Sequence, residues 1–414
     1  MSELAGRAAS AAPGSTRFAA FALLFGNFFI GLSILAPAGM VRDLAAGLGV
    51  PVTRAALLIT AGAVVLCIGS PLVAWATNGL DRRRLLAASL AMLAVGHAGS
   101  AVAPDLNALL VLRLVSMAAA AIFTPQAAST IAKMVPEKER PGAISFVFLG
   151  WSLSVAAGLP LVAWGAGQFG WRSIHVALGL GAAAAALLVW LPVPAGLRAP
   201  SMSLSSWGTL FSNRLVVLLI AATAISAAGQ FVVFTFLGPL LASLADASAN
   251  QIAVMFAVFG VSGFLGNLGA TRLVGRLGVY RTSLLCFVLM VVGALGFAAG
   301  AGVFAVMVVG GALWGLGFAS SNSMQQARLA AAVPPLAGAA IALNSSAIYV
   351  GQAAGSAMGG VLFDAGRLVA MGFVAAAFIL VATAVVHATR PRRTFVTAEP
   401  APPPGLRKRR ETAP

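Results

Sequence analysis

Residues 109–125 read LLVLRLVSMAAAAIFTP, an apolar run that carries one guanidinium, Arg113. A lone arginine inside lipid costs on the order of 2.5–3.5 kcal/mol even on lenient insertion scales. It therefore has a partner or a purpose. Arg113, Met117, Ala120 and Thr124 share one helical face, and Arg113 sits roughly 8–9 Å from the nearer end of its run. Two readings stand: it bonds backbone carbonyls and fixes helix packing, or it lines a passage and meets substrate charge or relays a protonation signal. Acids embedded in a membrane are the usual proton carriers. The ten carboxylates here (Glu3, Asp43, Asp81, Asp105, Glu137, Glu139, Asp246, Asp364, Glu399 and Glu411) all fall in tails, loops or run ends. The proton-coupling candidates are then Asp43, at the end of the first run, and His97, inside the third. For His97 the alternative is a packed neutral ring.

Polar groups near the middle of other runs are Asn27, Gln230, Tyr349 and Gln352, with Asn344 nearer one end. Each is a substrate contact or an interhelical hydrogen bond, the latter typically about 0.6 kcal/mol. Phe28, Trp151, Phe234 and Trp314 are aromatic walls for an amphiphilic ligand, or packing. Trp75, Trp164 and Trp171 lie near run ends, where tryptophans anchor to the interface. Asn322, Gln325, Gln326 and Arg328 form an inner gate or a loop contact. Cys67 and Cys286 lack metal-ligand spacing and read as packing residues. No metal or cofactor is called for.

These groups are carried on elements that composition makes plain. Of 414 residues 60% are hydrophobic and 9% charged, against roughly 25% charged in soluble domains; an ordinary cytosolic enzyme is excluded. Twelve apolar runs occupy about 18–40, 55–77, 85–103, 108–132, 142–167, 173–192, 214–242, 251–271, 282–300, 303–323, 337–362 and 368–388. Each is long enough to cross about 30 Å of hydrocarbon as a helix. The net charge of +16 sits between runs and at the C-terminus, so topology explains it and nucleic acid does not. With the N-terminus inside, the cytoplasmic pieces hold 21 of the 26 Lys and Arg residues. Arg42, Arg54, Arg172 and Arg367 fall outside, and Arg113 is the one left over. Both termini are then cytoplasmic.

The stretch 193–213 divides the chain into six runs and six runs. Basic turns follow the second and eighth (NGLDRRRLL, GRLGVYRTSLL), and small residues fill the fifth and eleventh. Duplicated transporter halves have this arrangement. The expected organisation is a tail 1–17, a bundle 18–192, a linker 193–213, a bundle 214–388 and a basic, disordered tail 389–414. The sequence resembles the major facilitator superfamily over nearly its whole length, and within it the twelve-span drug:proton antiporter branch of arabinose-efflux-type permeases. The stretches NGLDRRRLLAASL, LNALLVLRLVSMAAA, GLPLVAWGAGQFGWRS and GAAIALNSSAIYVGQAAGSAMGGVLFDAG carry the resemblance. It implies an all-α membrane protein of two six-helix pseudo-repeats. It also implies a gating loop, Asn78 and Asp81–Arg84, and a sealing role for the small-residue segments of the fifth and eleventh spans. Gly158, Pro160, Gly355 and Gly359 there allow close helix packing, and Pro160, which lacks an N–H, is expected to kink its span. Three departures stand out. Asn78 occupies the usual Asp position and Asp81 falls near the usual Gly. Ser116 and Met117 replace Gln-Gly after the arginine. The first span lacks a carboxylate.

The expected function is export of small organic molecules across a bacterial inner membrane by alternating access, with proton antiport implied by the resemblance, as is a monomer. The rivals are an organic-anion carrier or uncoupled facilitator using Arg113, and, from another class, a polytopic membrane enzyme, for which His97 and His387 have no catalytic companions in sequence.

Overall fold

The computed structural model describes residues 13–77, 79–198 and 205–390. Among them no strand occurs. The helices are α1 (Pro13–Gly39), α2 (Val41–Leu48), α3 (Val52–Ala76), α4 (Arg82–Ala101), α5 (Leu106–Met134), α6 (Arg140–Leu153), α7 (Leu159–Phe169) and α8 (Trp171–Trp190). There follow α9 (Ser205–Ser212), α10 (Arg214–Phe234), α11 (Leu237–Ala245), α12 (Ala249–Ala299), α13 (Phe304–Ala332), α14 (Ala337–Asp364) and α15 (Leu368–Ala388). Ten helical segments among the described residues are long and apolar enough to cross a membrane. Two of the twelve expected crossings are not separate members of that set. Runs eight and nine merge into the 51 residues of α12, bent at Gly278 (φ 75°, ψ 161°). The other is α14, whose interior carries Asn344, Ser345, Ser346, Gln352 and Ser356.

The end where α1 starts is called proximal here, and the end where it finishes distal. Helices α1 to α8 pack mainly with one another, as do α10 to α15. The groups meet where α3 packs on α14, and where α12 packs on α7 and on the turn before it.

Proline explains two departures from the simple runs. The run 214–242 is not one helix: α10 stops at Phe234 and α11 starts at Leu237. Pro239 lacks the N–H that Thr235 O would accept in a continuous helix, and the chain breaks there. In the fifth run, Pro160 likewise leaves Ala156 O without its donor. The outcome is a widened π-type turn, Ser154–Gly158, between α6 and α7, a device often found at functional positions. The stretch 193–213 also contains α9, whose Leu210 is buried with Val216, Leu219 and Leu329. The N-terminal residues up to 12 and those after 390, including most of the basic tail, lie outside the described residues.

Backbones touch closely at α10–α14. A Cβ on Gly355 would lie 2.1 Å from Ala228 O, and one on Gly359 2.5 Å from Val232 O. Gly355→Val is expected to destabilise the protein by about 1–3 kcal/mol, the usual cost of overpacking. Thermal unfolding in detergent reads this; a wild-type midpoint would show that the contact is loose.

Candidate functional site

The guanidinium of Arg113 is buried and spans three helices. Nε donates to Leu58 O of α3 at 3.1 Å, Nη1 to Ser33 O of α1 at 2.6 Å, and Nη2 to Ile34 O at 2.8 Å. The sequence places Pro37 four residues after Ser33. Proline offers no N–H, so Ser33 O has no intrahelical donor, and Arg113 supplies one. Gly62 makes room: a Cβ there would meet Arg113 Nε at 3.0 Å.

His97 of α4 lies in the same cluster. Its Nδ1 is 3.0 Å from Nδ1 of His175 on α8, and its Nε2 is 2.8 Å from Ser33 Oγ. Ser33 thus joins the two sequence candidates, through its hydroxyl to His97 and its carbonyl to Arg113. A small crevice is lined by Pro37, Leu58, His97, Ser100, Leu109, Arg113, Ser116 and His175. His175 escaped the sequence reading. Each imidazole falls about one turn inside the distal end of its helix, α4 or α8, but only the packing of α4 on α8 pairs them. Trp171 is not an interface anchor: it is buried edge-on against His175, with centroids 5.8 Å apart, and fills the space left by Gly47. Trp164 is 43% exposed, as an anchor would be; the side chain of Trp75 lies outside the described residues. Asp43 sits on α2, outside the spans. Burial pushes its carboxyl up, against the pull of its own N–H and of Arg42.

The amides divide into two kinds. Asn27 is wholly buried and bonded through both ends of its amide: Thr124 Oγ1 donates to its Oδ1 at 2.8 Å, and its Nδ2 donates to Val147 O at 3.1 Å. Asn344 does the same in the other half, accepting from Thr223 Oγ1 at 2.7 Å and donating to Asn322 Oδ1 at 2.9 Å. Both tie helices together. Gln230 donates to Ser226 Oγ at 3.1 Å, but its Oε1 has no partner; nor do Gln352 Nε2 and Trp314 Nε1, all buried.

The aromatics divide likewise. Phe234 and Trp314 are buried in one cluster through Phe259, with centroids 5.3 and 5.2 Å from it, so they pack α10, α12 and α13 together and form no wall. Phe28, Trp151 and Tyr349 are half-buried. Gln325 donates to Leu219 O at 3.2 Å and accepts from Arg328 Nη1 at 3.2 Å, while Arg328 Nη2 donates to Thr389 O at 2.9 Å. These residues brace α13 against α10 and the end of α15.

The two halves meet from mid-depth to their distal ends. Thr60 Oγ1 of α3 donates to Ser356 Oγ of α14 at 2.9 Å. Gly260 of α12 lies on the π-type turn, where a Cβ would stand 2.3 Å from Val155 O and 2.5 Å from Ala156 Cα. A Cβ on Gly167 would meet Ala249 Cβ at 3.1 Å. The small residues of α7 and of the turn before it thus pack against α12.

The sequence model of the Major Facilitator Superfamily matches residues 21–245 and 219–412. The chain belongs to that superfamily. It is a multi-pass membrane transporter and not an enzyme. It is 29% identical over 357 residues to YtbD, an uncharacterized MFS-type transporter of Bacillus subtilis (strain 168), covering 84% of this chain and 88% of that one. It is 26% identical over 352 residues to the inner membrane transport protein YdhP of Escherichia coli (strain K12), covering 83% and 88%. The fold matches that of a D-xylose–proton symporter, with TM-score 0.73, 16% identity and coverage of 90% and 97%. It also matches a bacterial homologue of the human lysosomal transporter Spinster in an inward-facing, unoccupied conformation, with TM-score 0.69, 17% identity and coverage of 92% and 100%.

Against the superfamily's gating-loop pattern, Asn78 lies outside the described residues. Asp81 caps α4 by accepting from Arg84 N at 3.0 Å, and it also accepts from Gly196 N. Arg82 is buried: its N–H donates to Leu197 O at 2.9 Å, and its Nη1 donates to Gln126 Oε1. The guanidinium of Arg83 stacks 4.4 Å above Trp190, and Arg84 contributes the N–H that Asp81 accepts. The loop therefore holds the stretch after α8 to the base of α4. Desolvation pushes the Asp81 carboxyl up, but the N–H groups of Arg84, Gly196 and Arg83 and the Arg84 charge outweigh this and leave it below its ordinary value. A depressed carboxylate stabilises above its unfolded pKa, and that contribution fades as pH falls through the folded value. Asp81→Ala is expected to cost about 1 kcal/mol, as lost caps do, and to speed proteolysis within 193–198. Unchanged cleavage would show that the stretch is held by other contacts.

Proposed function

We propose that this transporter exports small drug- or sugar-like organic molecules by alternating access between two six-helix halves, 18–192 and 214–388, joined by 193–213, in exchange for protons. In this reading the chain crosses the bacterial inner membrane twelve times. Runs eight and nine are the two arms of α12, and α14 is the eleventh crossing. The distribution of basic residues supports a cytoplasmic proximal end with both termini inside. The observation that carries the reading is the seal: of the contacts between halves, Gly167–Ala249 lies at the distal ends, Thr60–Ser356 in the distal third and Gly260–Val155 near mid-depth, so the closure runs from the middle of the bundle to its distal end. A transporter closed outside and accessible inside is ready to collect cytoplasmic substrate. The small-residue segment of the fifth span, which resembles that of exporters, forms one side of this seal.

The substrate contacts in this reading are the half-buried Phe28, Trp151 and Tyr349 with Gln230 and Gln352, whose unpartnered amide atoms offer an acceptor and a donor. Arg113 has each of its three nitrogens on a carbonyl, which favours a positioning role over the anion-carrier alternative. Everted vesicles test the reading with a panel of drug- and sugar-like probes. Energised vesicles should accumulate at least one of them, and a protonophore should abolish the uptake. Uptake of none, or uptake that the protonophore leaves intact, would overturn it.

A further inference from the structure

We propose that His97 and His175 form a two-ring site that holds one exchangeable proton, loaded when the distal seal opens; its place in transport rests on the antiport reading above. A neutral pair carries two protons on four ring nitrogens. The Nδ1···Nδ1 contact of 3.0 Å requires a proton on one side and a lone pair on the other. A third proton fits without breaking a bond. His97 then donates from Nδ1 to His175 and from Nε2 to Ser33 Oγ, 2.8 Å away, and the charge is shared across the contact. A fourth proton would set two N–H groups face to face. The capacity of the site is therefore one.

The surroundings make loading conditional. From α5, Arg113 faces the rings. On α8, Arg172 precedes His175 by three residues but turns onto Ala103 O and Trp171. From α2 come Arg42 and Asp43, neither bonded to the rings; α3 brings Arg54 at its distal end. On α1 the charged residue is Arg17, at the proximal end, and α7 carries no titratable group. With the rings 2% and 7% exposed and a guanidinium beside them, the closed form gives solvent little access to the pair.

Helix α3 connects this cluster to the seal. Leu58, whose carbonyl holds Arg113, and Thr60, which bonds Ser356 across the halves, are two residues apart. Parting the halves breaks Thr60–Ser356 and releases α3, which draws Leu58 O away from Arg113 Nε and wets the crevice while Nη1 and Nη2 stay on Ser33 O and Ile34 O.

The test uses the full chain labelled with ¹⁵N-histidine in lipid, where His97, His175 and His387 are the three signals. One sample carries a Thr60→Cys/Ser356→Cys cross-link with Cys67 and Cys286 replaced; the other carries Gly260→Trp, or Gly167→Trp should the first not fold. Lowering the pH from about 8 to about 5, the range in which imidazoles charge, should leave the pair neutral in the cross-linked protein. In the wedged protein both rings should move together, with a single midpoint and one proton taken up. His175→Gln in the wedged protein should abolish that joint transition and leave His387 unchanged. Independent titration, identical titration in both samples, or titration in neither overturns the proposal. Because the spectra read protonation without transport, such a failure leaves the antiport reading standing. Joint loading combined with vesicle uptake that ignores the protonophore overturns that reading and keeps the proton site.

Discussion

Replacing Arg113 with glutamine is expected to destabilise the protein by on the order of 3 kcal/mol, several times the roughly 0.6 kcal/mol typical of an interhelical hydrogen bond in a membrane bundle. Hydrogen bonds to charged groups contribute about 1.5–3 kcal/mol each, and a buried group left unsatisfied costs about 1–3 kcal/mol. Here three such bonds go at once. Ile34 O and Leu58 O keep the acceptor role that a helix gives them. Ser33 O does not, because its natural donor would be the N–H that Pro37 lacks. A cycle separates this cause from general packing. Pro37→Ala restores a donor to Ser33 O, so the double variant Pro37→Ala/Arg113→Gln should be less destabilised than the sum of the singles by about 1 kcal/mol, within the range found for contacting residues. Unfolding titrated with SDS in mixed micelles reads all four proteins. Additivity to within about 0.3–0.5 kcal/mol would show that Arg113 does not serve the proline-orphaned carbonyl.

Gly260→Leu should act on conformation more than on stability. Its Cβ would stand 2.3 Å from Val155 O, a backbone atom that cannot rotate away. The clash exists only while the halves are closed distally, so its cost of about 1–3 kcal/mol falls on one state. That is a shift of about 5- to 150-fold toward the distally open form. With Cys67 and Cys286 replaced, Ser356→Cys should react with an impermeant maleimide faster by a factor in that range. Gly269→Leu on the same helix, where a Cβ has nothing within 4 Å, should leave the rate alone. Equal rates in the two variants would mean that the Gly260 contact is not part of a seal.

The fold was legible because lipid leaves the backbone so few options. Apolar runs located most helices to within a few residues, and α15 ends where its run ends, but α13 continues nine residues past its run, through Gln325, Gln326 and Arg328, to Ala332. Where the runs misled, the cause was local backbone chemistry. Pro239 broke one run, and the run ends at 271 and 282 left Arg272, Arg276 and Arg281 outside the helices, although the two arms of α12 extend through them to the bend at Gly278. The site was less legible. Arg113 was recognisable as an anomaly, and carbonyl bonding was one of its two readings, but its partner depends on Pro37, far away in sequence. His175 could not be joined to His97 without knowing that α4 lies against α8. The aromatic residues were ambiguous because a ring facing a ligand and a ring facing another ring are written with the same letter: Phe234 and Trp314 are core, while Phe28 and Trp151 stay half-buried.

The bend at Gly278 has a mechanical consequence. Most neighbouring crossings are joined by several residues of loop, which give each some slack. Between the two arms of α12 there is none: the chain reverses at a single residue in the left-handed region and is helical again at once. The distal half of the first arm carries Gly260, and the second arm is braced against α13 by Gly293, whose Cβ would meet Trp314 N at 2.2 Å. Rocking of the first arm would therefore pass through one glycine to the second arm, and through its close contact with Trp314 to α13, instead of being absorbed in a loop.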